Sequence, residues 1–387
     1  AETRRVYPEG NLAAQVLGFV NDNGGNYGVE QAMNKELTGT DGYKKITTDA
    51  FNQVIEVGSE NIEKPAINGK NIALSIDRNI QARVEKVLKS QMESKGMKNG
   101  SVLVMNPKNG KIMAMANYPT YNPADYGKVE KSSVYNNNTT TMAYENGSVI
   151  KSFTMATGIN EGVASPSTRY NNTDSIRIED IVIQNAVLGH TGSITLQTAM
   201  NYSLNTGMVT IGKLLGGGSL NSTARDKIYD YFHNRFGLGR ETGIEILESK
   251  GLLVSPKKAE GNAVRYSNMT FGQGMTTTML QTANAFSSLV NGGTLYKPSL
   301  IEGIVDENGK LSKKEPEINK EAVISKETSE QMKQVLEGVR KVGGVKDPSG
   351  YQIGGKTGTS QTIVGGKYVD YQTIGSYVGF GGGDEAE

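Results

Sequence analysis

Ser101-Val102-Leu103-Val104-Met105-Asn106-Pro107-Lys108-Asn109-Gly110-Lys111-Ile112-Met113-Ala114-Met115-Ala116 reads as two apolar runs joined by a turn sequence. Asn and Gly tolerate the positive φ of a type I′ turn, so the pattern predicts a β-hairpin closed at Asn109-Gly110. Upstream, Asn71-Ile72-Ala73-Leu74-Ser75-Ile76 is strand-like. A helix follows it, with Ile80, Val84, Val87, Leu88 and Met92 on one face and Asp77 as its N-cap. Downstream, residues 118–146 are polar and Asn-rich, and predict a loop. From Ser148 to about Ile301 the pattern is mainly helical, broken at Gly216-Gly217-Gly218 and Gly272-Gln273-Gly274. Residues 302–350 predict a charged hairpin or loop and a helix from Lys326 to Lys341. Strands return from Tyr351 to Gln361 and from Thr373 to Phe380.

A hairpin early, strands late and helices between them imply an α+β fold: one mostly antiparallel sheet interrupted and covered by a helical subdomain, with the site where the layers meet. Residues 1–70 differ in texture. They are rich in Gly and Asn, carry turn signals at Asn23-Gly24-Gly25 and Asp41-Gly42, and hold alternating runs such as Gln53-Val54-Ile55-Glu56-Val57. They predict a small β-rich module ahead of a main domain over 71–387.

The composition removes several chemistries. Lys and Arg total 41 against 40 Asp and Glu, a net charge of +1 with no basic block, so nucleic acid is not expected as a partner. Without cysteine there is no disulfide, thiolate nucleophile or Cys-type zinc site. His190 and His233 are the only histidines and lack metal-ligand spacing, so neither a metal nor a cofactor is expected. No stretch approaches the roughly 18 apolar residues of a spanning helix. The chain opens Ala1-Glu2-Thr3 without an initiator methionine, so an upstream segment carrying any membrane anchor is expected to have been removed.

A nucleophilic enzyme built from this alphabet would most simply pair Ser or Thr with a Lys base. Ser148-Val149-Ile150-Lys151 supplies that pair: three residues apart on a helix, the amine can reach the hydroxyl. The apolar sequence around it buries the turn, and burial lowers a lysine pKa toward the range a general base needs. A helix start also leaves the Ser148 N–H available as an oxyanion donor. Ser-x-x-Lys recurs at Ser255-Pro256-Lys257-Lys258, but only Ser148 has ordered companions, Ser203-Leu204-Asn205 and then Lys356-Thr357-Gly358-Thr359. Ser219-Leu220-Asn221 also fits the second element; Ser203 is preferred because it follows the helix-like run from Leu196 to Met200, a rigid mount. The third element suits a strand. Gly354, Gly355 and Gly358 leave room for a backbone to approach, so an extended peptide could add along this edge, with Lys356, Thr357 and Thr359 holding its carboxylate.

The trio Ser-x-x-Lys, Ser-x-Asn, Lys-Thr-Gly is that of serine β-lactamases and penicillin-binding proteins. The chain resembles a class B penicillin-binding protein, a monofunctional peptidoglycan transpeptidase, nearly end to end, and the septal division type looks closest. Arg5-Val6-Tyr7-Pro8, Leu17-Gly18-Phe19-Val20 and Gly28-Val29-Glu30 resemble the junction module that precedes the catalytic domain in that family. Further matches are Ser75-Ile76-Asp77 with Ile80-Gln81, Asn106 to Gly110, Tyr118-Pro119 with Asn122-Pro123, Thr242-Gly243-Ile244 and Phe271-Gly272-Gln273-Gly274. The resemblance implies the fold shared by these transpeptidases and the serine β-lactamases. It implies Ser148 as the acylated nucleophile, Lys151 as its base, and Ser203 and Asn205 in proton transfer and amide binding. Lys356, Thr357, Gly358 and Thr359 would bind the terminal carboxylate, and the N–H groups of Ser148 and Thr359 would form the oxyanion hole. Ser148 would attack a D-Ala-D-Ala stem peptide, expel the last D-Ala and be released by a neighbouring strand's amine; β-lactams would acylate it and stay. The implied partners are stem peptides, β-lactams, a glycosyltransferase and other division or elongation proteins. The implied location is the extracytoplasmic face of the bacterial membrane.

The chain departs from the family's pattern at three places. Glu145-Asn146-Gly147 stands for the usual Glu-Pro-Gly, and Val149-Ile150 for the common Thr-Phe. After Tyr377-Val378-Gly379-Phe380 the family usually adds a strand and a closing helix, so the resemblance implies a sheet left short here. A β-lactamase shares the trio, but no Glu-x-x-x-Asn suited to deacylation lies between Ser203 and Lys356, and the front module is foreign to that class. A DD-carboxypeptidase and a β-lactam sensor or inactive scaffold are the remaining rivals.

Overall fold

The computed structural model describes residues 5–51, 53–55, 62–344, 346–364 and 367–383. The start of the chain, Glu56-Val57 of the alternating run and Asp384 at the other end lie outside the described residues. The Asp77 carboxylate caps the helix Arg78–Lys95, accepting from the N–H groups of Asn79 and Ile80. Of the predicted apolar face, Leu88 is buried, but Val87 points outward; the other buried position is Gln81. Its carboxamide accepts from Met115 N at 2.7 Å and donates to Met115 O at 2.9 Å, clamping the helix onto a strand by mimicking a peptide group.

That strand, Ile112–Tyr118, pairs antiparallel with Gly100–Met105, so the predicted hairpin is present. Its turn is not the expected two-residue type. Pro107 fits the second position of a type I turn, and only Gly110 of the Asn-Gly pair takes a positive φ, 74°. The loop closes instead through Gly110 N to Asn106 O and Asn106 N to Lys111 O, both 2.9 Å.

The late strands form a second, long hairpin, Gln352–Val364 against Lys367–Gly382. Asn71–Leu74, Ile301–Val305 and Leu311–Lys313 make a separate three-stranded sheet. The single sheet expected from the sequence is therefore divided: among the described residues no ladder joins the two hairpins. The helical segment is also less uniform than predicted. Ser175–Ile178 pairs with Ile181–Gln184, and Arg169–Asn172 with Gly192–Thr195, placing two small hairpins between the helices.

The main core gathers around the helix Lys151–Asn160, buried at every position from Lys151 to Ile159. A helix packed all round needs no polar face, which explains why an apolar run rather than an amphipathic stripe follows Ser148. Phe153 is fully buried there and packs on Phe236, ring centroids 5.3 Å apart.

The front of the chain is mixed, not β-rich. Short helices at Ala14–Leu17, Gly28–Ala32 and Asn34–Leu37 accompany the hairpin Phe19–Asn21/Gly24–Asn26 and the arm Tyr43–Lys45/Ile62–Lys64. The supposed loop after Tyr118 is its docking face. Phe19 stacks on Tyr126 at 4.3 Å, Tyr121 and Tyr135 close around it, and Gln15 Nε2 donates to Pro119 O and Val134 O. The tyrosine rings supply the apolar packing that the surrounding Asn-rich sequence concealed.

Truncating Phe153 to Ala should destabilise the fold by about 3–5 kcal/mol, the transfer and cavity cost of a fully buried aromatic ring. Denaturant unfolding of the two proteins checks this, and a loss below about 1 kcal/mol would mean the site helix is not the centre of the core.

Candidate active site

Ser148 lies in a tight turn, Gly147–Ile150, that runs directly into the helix Lys151–Asn160. The turn is held by backbone-to-backbone contact. Gly147 has φ 59°, and a Cβ there would sit 2.5 Å from the Thr359 carbonyl oxygen. A Cβ on Gly358 would lie 2.4 Å from Asn146 O, so only glycine lets the Ser148 turn touch the Lys356-Thr357-Gly358-Thr359 strand. On the other side Gly147 N donates to Gly272 O at 3.2 Å, and Gly274 N donates to Glu145 Oε1 at 2.7 Å. Asn146, where the resemblance leads one to expect proline, is buried: its Oδ1 accepts from the Thr277 hydroxyl and its backbone oxygen from the Ser376 hydroxyl at 3.3 Å. The substitution gives the turn a side-chain bond that proline cannot make.

Lys151 is the chemical centre of the site. It is fully buried, and its Nζ donates to Ser203 O at 2.5 Å and to Ser203 Oγ at 3.1 Å. Burial, and secondarily the charge of Lys356, hold its pKa well below the ordinary lysine value. Lys356 is also buried, and burial pushes it down to about 8; its Nζ donates to Thr357 O at 3.1 Å. Two buried ammoniums do not coexist cheaply, so the charge of Lys356 adds to burial in favouring the neutral form of Lys151.

Ser203 occupies the turn between the helices Leu196–Asn201 and Asn205–Leu215. Its φ is 57°, left-handed for a residue with a Cβ, at a cost of about 1–2 kcal/mol. In that conformation both its carbonyl and its hydroxyl face Lys151. Asn205 is half-buried, its Nδ2 donating to Gln184 O at 2.8 Å. Thr357 and Thr359 are exposed on the strand and Gly358 is buried between them.

The structure thus joins Lys151 and Ser203 directly, sets Lys356 within electrostatic reach, and packs the Ser148 turn against Gly358 and Thr359. The alternatives fall away: Asn221 caps the helix Ser222–Tyr229 through Ala224 N, and Lys258 of the second Ser-x-x-Lys is exposed. The room expected at two glycines is already filled by the chain itself. A Cβ at Gly354 would meet the Leu336–Glu337 backbone and one at Gly355 the Tyr377 ring. Sequence reasoning missed the supports Asn146, Thr277 and Ser376, because no spacing relates them. Among the described residues no cluster of histidine and carboxylate side chains could hold a metal, and no helix is long and apolar enough to cross a membrane.

Residues 100–385 match the penicillin binding protein transpeptidase domain, and residues 1–74 the penicillin-binding protein dimerisation domain. Stage V sporulation protein D of Bacillus subtilis is 34% identical over 98% of this chain and 58% of its own length. Peptidoglycan D,D-transpeptidase FtsI of Escherichia coli is 29% identical over 95% of this chain and 59% of its own. The chain spans about three fifths of both curated relatives. Penicillin binding protein 3 of Mycobacterium tuberculosis, solved in complex with aztreonam, superposes with a TM-score of 0.83 at 26% identity, covering 99% of this chain and 82% of that one. A buried lysine facing a serine, a glycine-lined strand beside it and a match covering most of the sequence lead to one assignment: the chain belongs to the penicillin-binding protein transpeptidase family.

Proposed function

We propose that this chain is the catalytic part of a peptidoglycan DD-transpeptidase acting through a Ser148 acyl-enzyme. The observation that carries the reading is Lys151: fully buried, depressed in pKa, one turn from Ser148 and bonded to Ser203. A neutral Lys151 takes the Ser148 proton as the hydroxyl attacks the penultimate D-Ala carbonyl. The oxyanion rests on the N–H groups of Ser148 and Thr359. Ser203 passes the proton to the departing D-Ala amine, and Asn205 binds the donor peptide's amide. Lys356, with Thr357, Gly358 and Thr359, holds the terminal carboxylate. A second strand's amine then attacks the ester carbonyl, its proton returns through Lys151 to Ser148 Oγ, and the cross-link leaves. β-Lactams enter by the same attack.

In this reading residues 1–70 are the remnant of a pedestal or junction module and 71–387 the transpeptidase domain. Matches to a dimerisation family at 1–74 and a transpeptidase family at 100–385 support that division. The substrate places the enzyme on the extracytoplasmic face of a bacterial membrane, working beside a glycosyltransferase in division or elongation.

Incubated with a fluorescent penicillin, the wild type should carry a covalent label on a denaturing gel and Ser148→Ala none, with the adduct mass on the Ser148 peptide. Equal label on both proteins would end the assignment. With stem-peptide strands as substrate, cross-linked dimer is the expected product; D-Ala release without dimer would make the reaction hydrolysis rather than transfer.

The two lysines set the pH dependence. Lys151 acts as a base only when neutral, so the acylation rate should rise as pH climbs through its lowered range. Lys356 binds a carboxylate only when charged, so the rate should fall as pH passes about 8. Acylation constants measured from about pH 5 to about pH 10 should describe a bell. Lys356→Arg should carry the alkaline limb upward because a guanidinium stays protonated. An alkaline limb unmoved in that variant would remove Lys356 from carboxylate binding.

A further inference from the structure

We infer that Asn172, well separated in sequence from every motif, is the positioning residue that holds the Ser203-Leu204-Asn205 turn in its catalytic conformation; this rests on the transpeptidase reading.

The turn has a problem to solve. Ser203 sits at φ 57°, and the helix beginning at Asn205 has no side-chain cap of its own, since Leu204 stands in the N-cap position. The first N–H groups of a helix need acceptors, and a strained left-handed residue needs surroundings that over-determine it. Behind the turn Leu204 is fully buried and its N–H donates to Ala199 O at 2.8 Å. Ahead of it the bonds come from the two small hairpins. Asn185 Oδ1 accepts from Thr206 N at 3.0 Å, a cap supplied from another strand pair, and Gln184 O accepts from Asn205 Nδ2.

Asn172 is the hub of that arrangement. It is fully buried. Its Oδ1 accepts from the Thr206 hydroxyl at 2.9 Å, from Asn185 Nδ2 at 3.2 Å and from Asp174 N at 3.0 Å. Its Nδ2 donates to His190 O at 2.8 Å and to Asp174 Oδ1 at 3.1 Å. Because Thr206 spends its proton on Asn172, the Tyr170 hydroxyl, 3.0 Å away, donates to Thr206. One carboxamide thus fixes the cap, the first turn of the helix and the 185–190 segment together. That segment reaches Tyr202, the neighbour of Ser203: the His190 and Tyr202 rings stack with centroids 3.8 Å apart. A fully satisfied buried network of this kind enforces one geometry.

Without the amide, Thr206 and Asn185 lose their common anchor and Ser203 is free to leave φ 57°. Lys151 then loses the oxygens it faces. Initial binding of a β-lactam, held by the Lys356 to Thr359 strand as well as by Asn205, should weaken less than the proton relay, which depends on Ser203 facing Lys151.

The test separates the reversible binding constant from the acylation rate constant of a chromogenic cephalosporin by stopped flow. Asn172→Ala should slow acylation about 10- to 100-fold, the scale of a misplaced catalytic group, with binding weakened by a clearly smaller factor because the Lys356 to Thr359 strand is untouched. Thr206→Val, which keeps shape and loses the hydroxyl, should slow acylation in the same direction, while Thr206→Ser should restore the wild-type rate; this pair carries the test if Asn172→Ala does not fold. Gln81→Ala removes an equally buried amide clamp remote from the turn and should leave acylation unchanged. Wild-type rates in Asn172→Ala or Thr206→Val, or an equal loss in Gln81→Ala, would overturn the inference. A wild-type protein that is never acylated would instead sink the transpeptidase reading beneath it.

Discussion

The desolvation of one amine governs this structure. An ammonium taken out of water without a counter-ion loses hydration that two hydrogen bonds only partly replace, and among the described residues Lys151 bonds the oxygens of Ser203 and no carboxylate. The cheaper state is the neutral amine, the form that a general base requires. Lys356 strengthens the effect, since its own charge disfavours a second one nearby. The enclosure that produces this chemistry is the main core itself, which packs the Lys151–Asn160 helix on every side.

Enclosure alone would leave Ser148 out of reach of a substrate, so the turn before the helix must stand at the surface of that core. Backbone contact resolves this. Gly147 against the Thr359 carbonyl, and Asn146 O against Gly358, bring the turn and the strand closer than side chains would permit. Asn146 then ties the turn to Thr277, whose segment also borders the core. At this position Asn146 Oδ1 thus makes a bond that proline could not. The same economy recurs after Ser203, where Thr206, three residues beyond the strained position, is held by bonds arriving from the small hairpins.

Much of this was legible in the chain, for reasons that are local. An apolar run after a Ser-x-x-Lys foretold a buried helix, Asp77 foretold its own helix start, and the apolar runs at 101–116 foretold a hairpin. What failed was also instructive. Pro107 altered the turn that Asn109-Gly110 suggested, Val87 turned outward where Gln81 turned in, and the Asn-rich stretch after Tyr118 became a packed aromatic face. At Gln81 and on the aromatic face a contact from elsewhere in the fold outweighed the local preference, whereas at Pro107 one local signal outweighed another. The single sheet expected from the strand pattern divided into separate ladders, because pairing depends on which edges meet, and edges carry no sequence label.

By itself, then, the sequence determined the chemical alphabet and its mounts: with two histidines and no cysteine, serine and lysine are the groups left for a nucleophile and base, and helical spacing puts Lys151 one turn from Ser148. The tertiary structure alone decided that Lys151 is dry, that Ser203 faces it from a left-handed turn, and that Asn172 anchors that turn. Periodicity and spacing are properties of neighbours along the chain, whereas desolvation and hydrogen-bond satisfaction are set by whatever distant segments fold against a group.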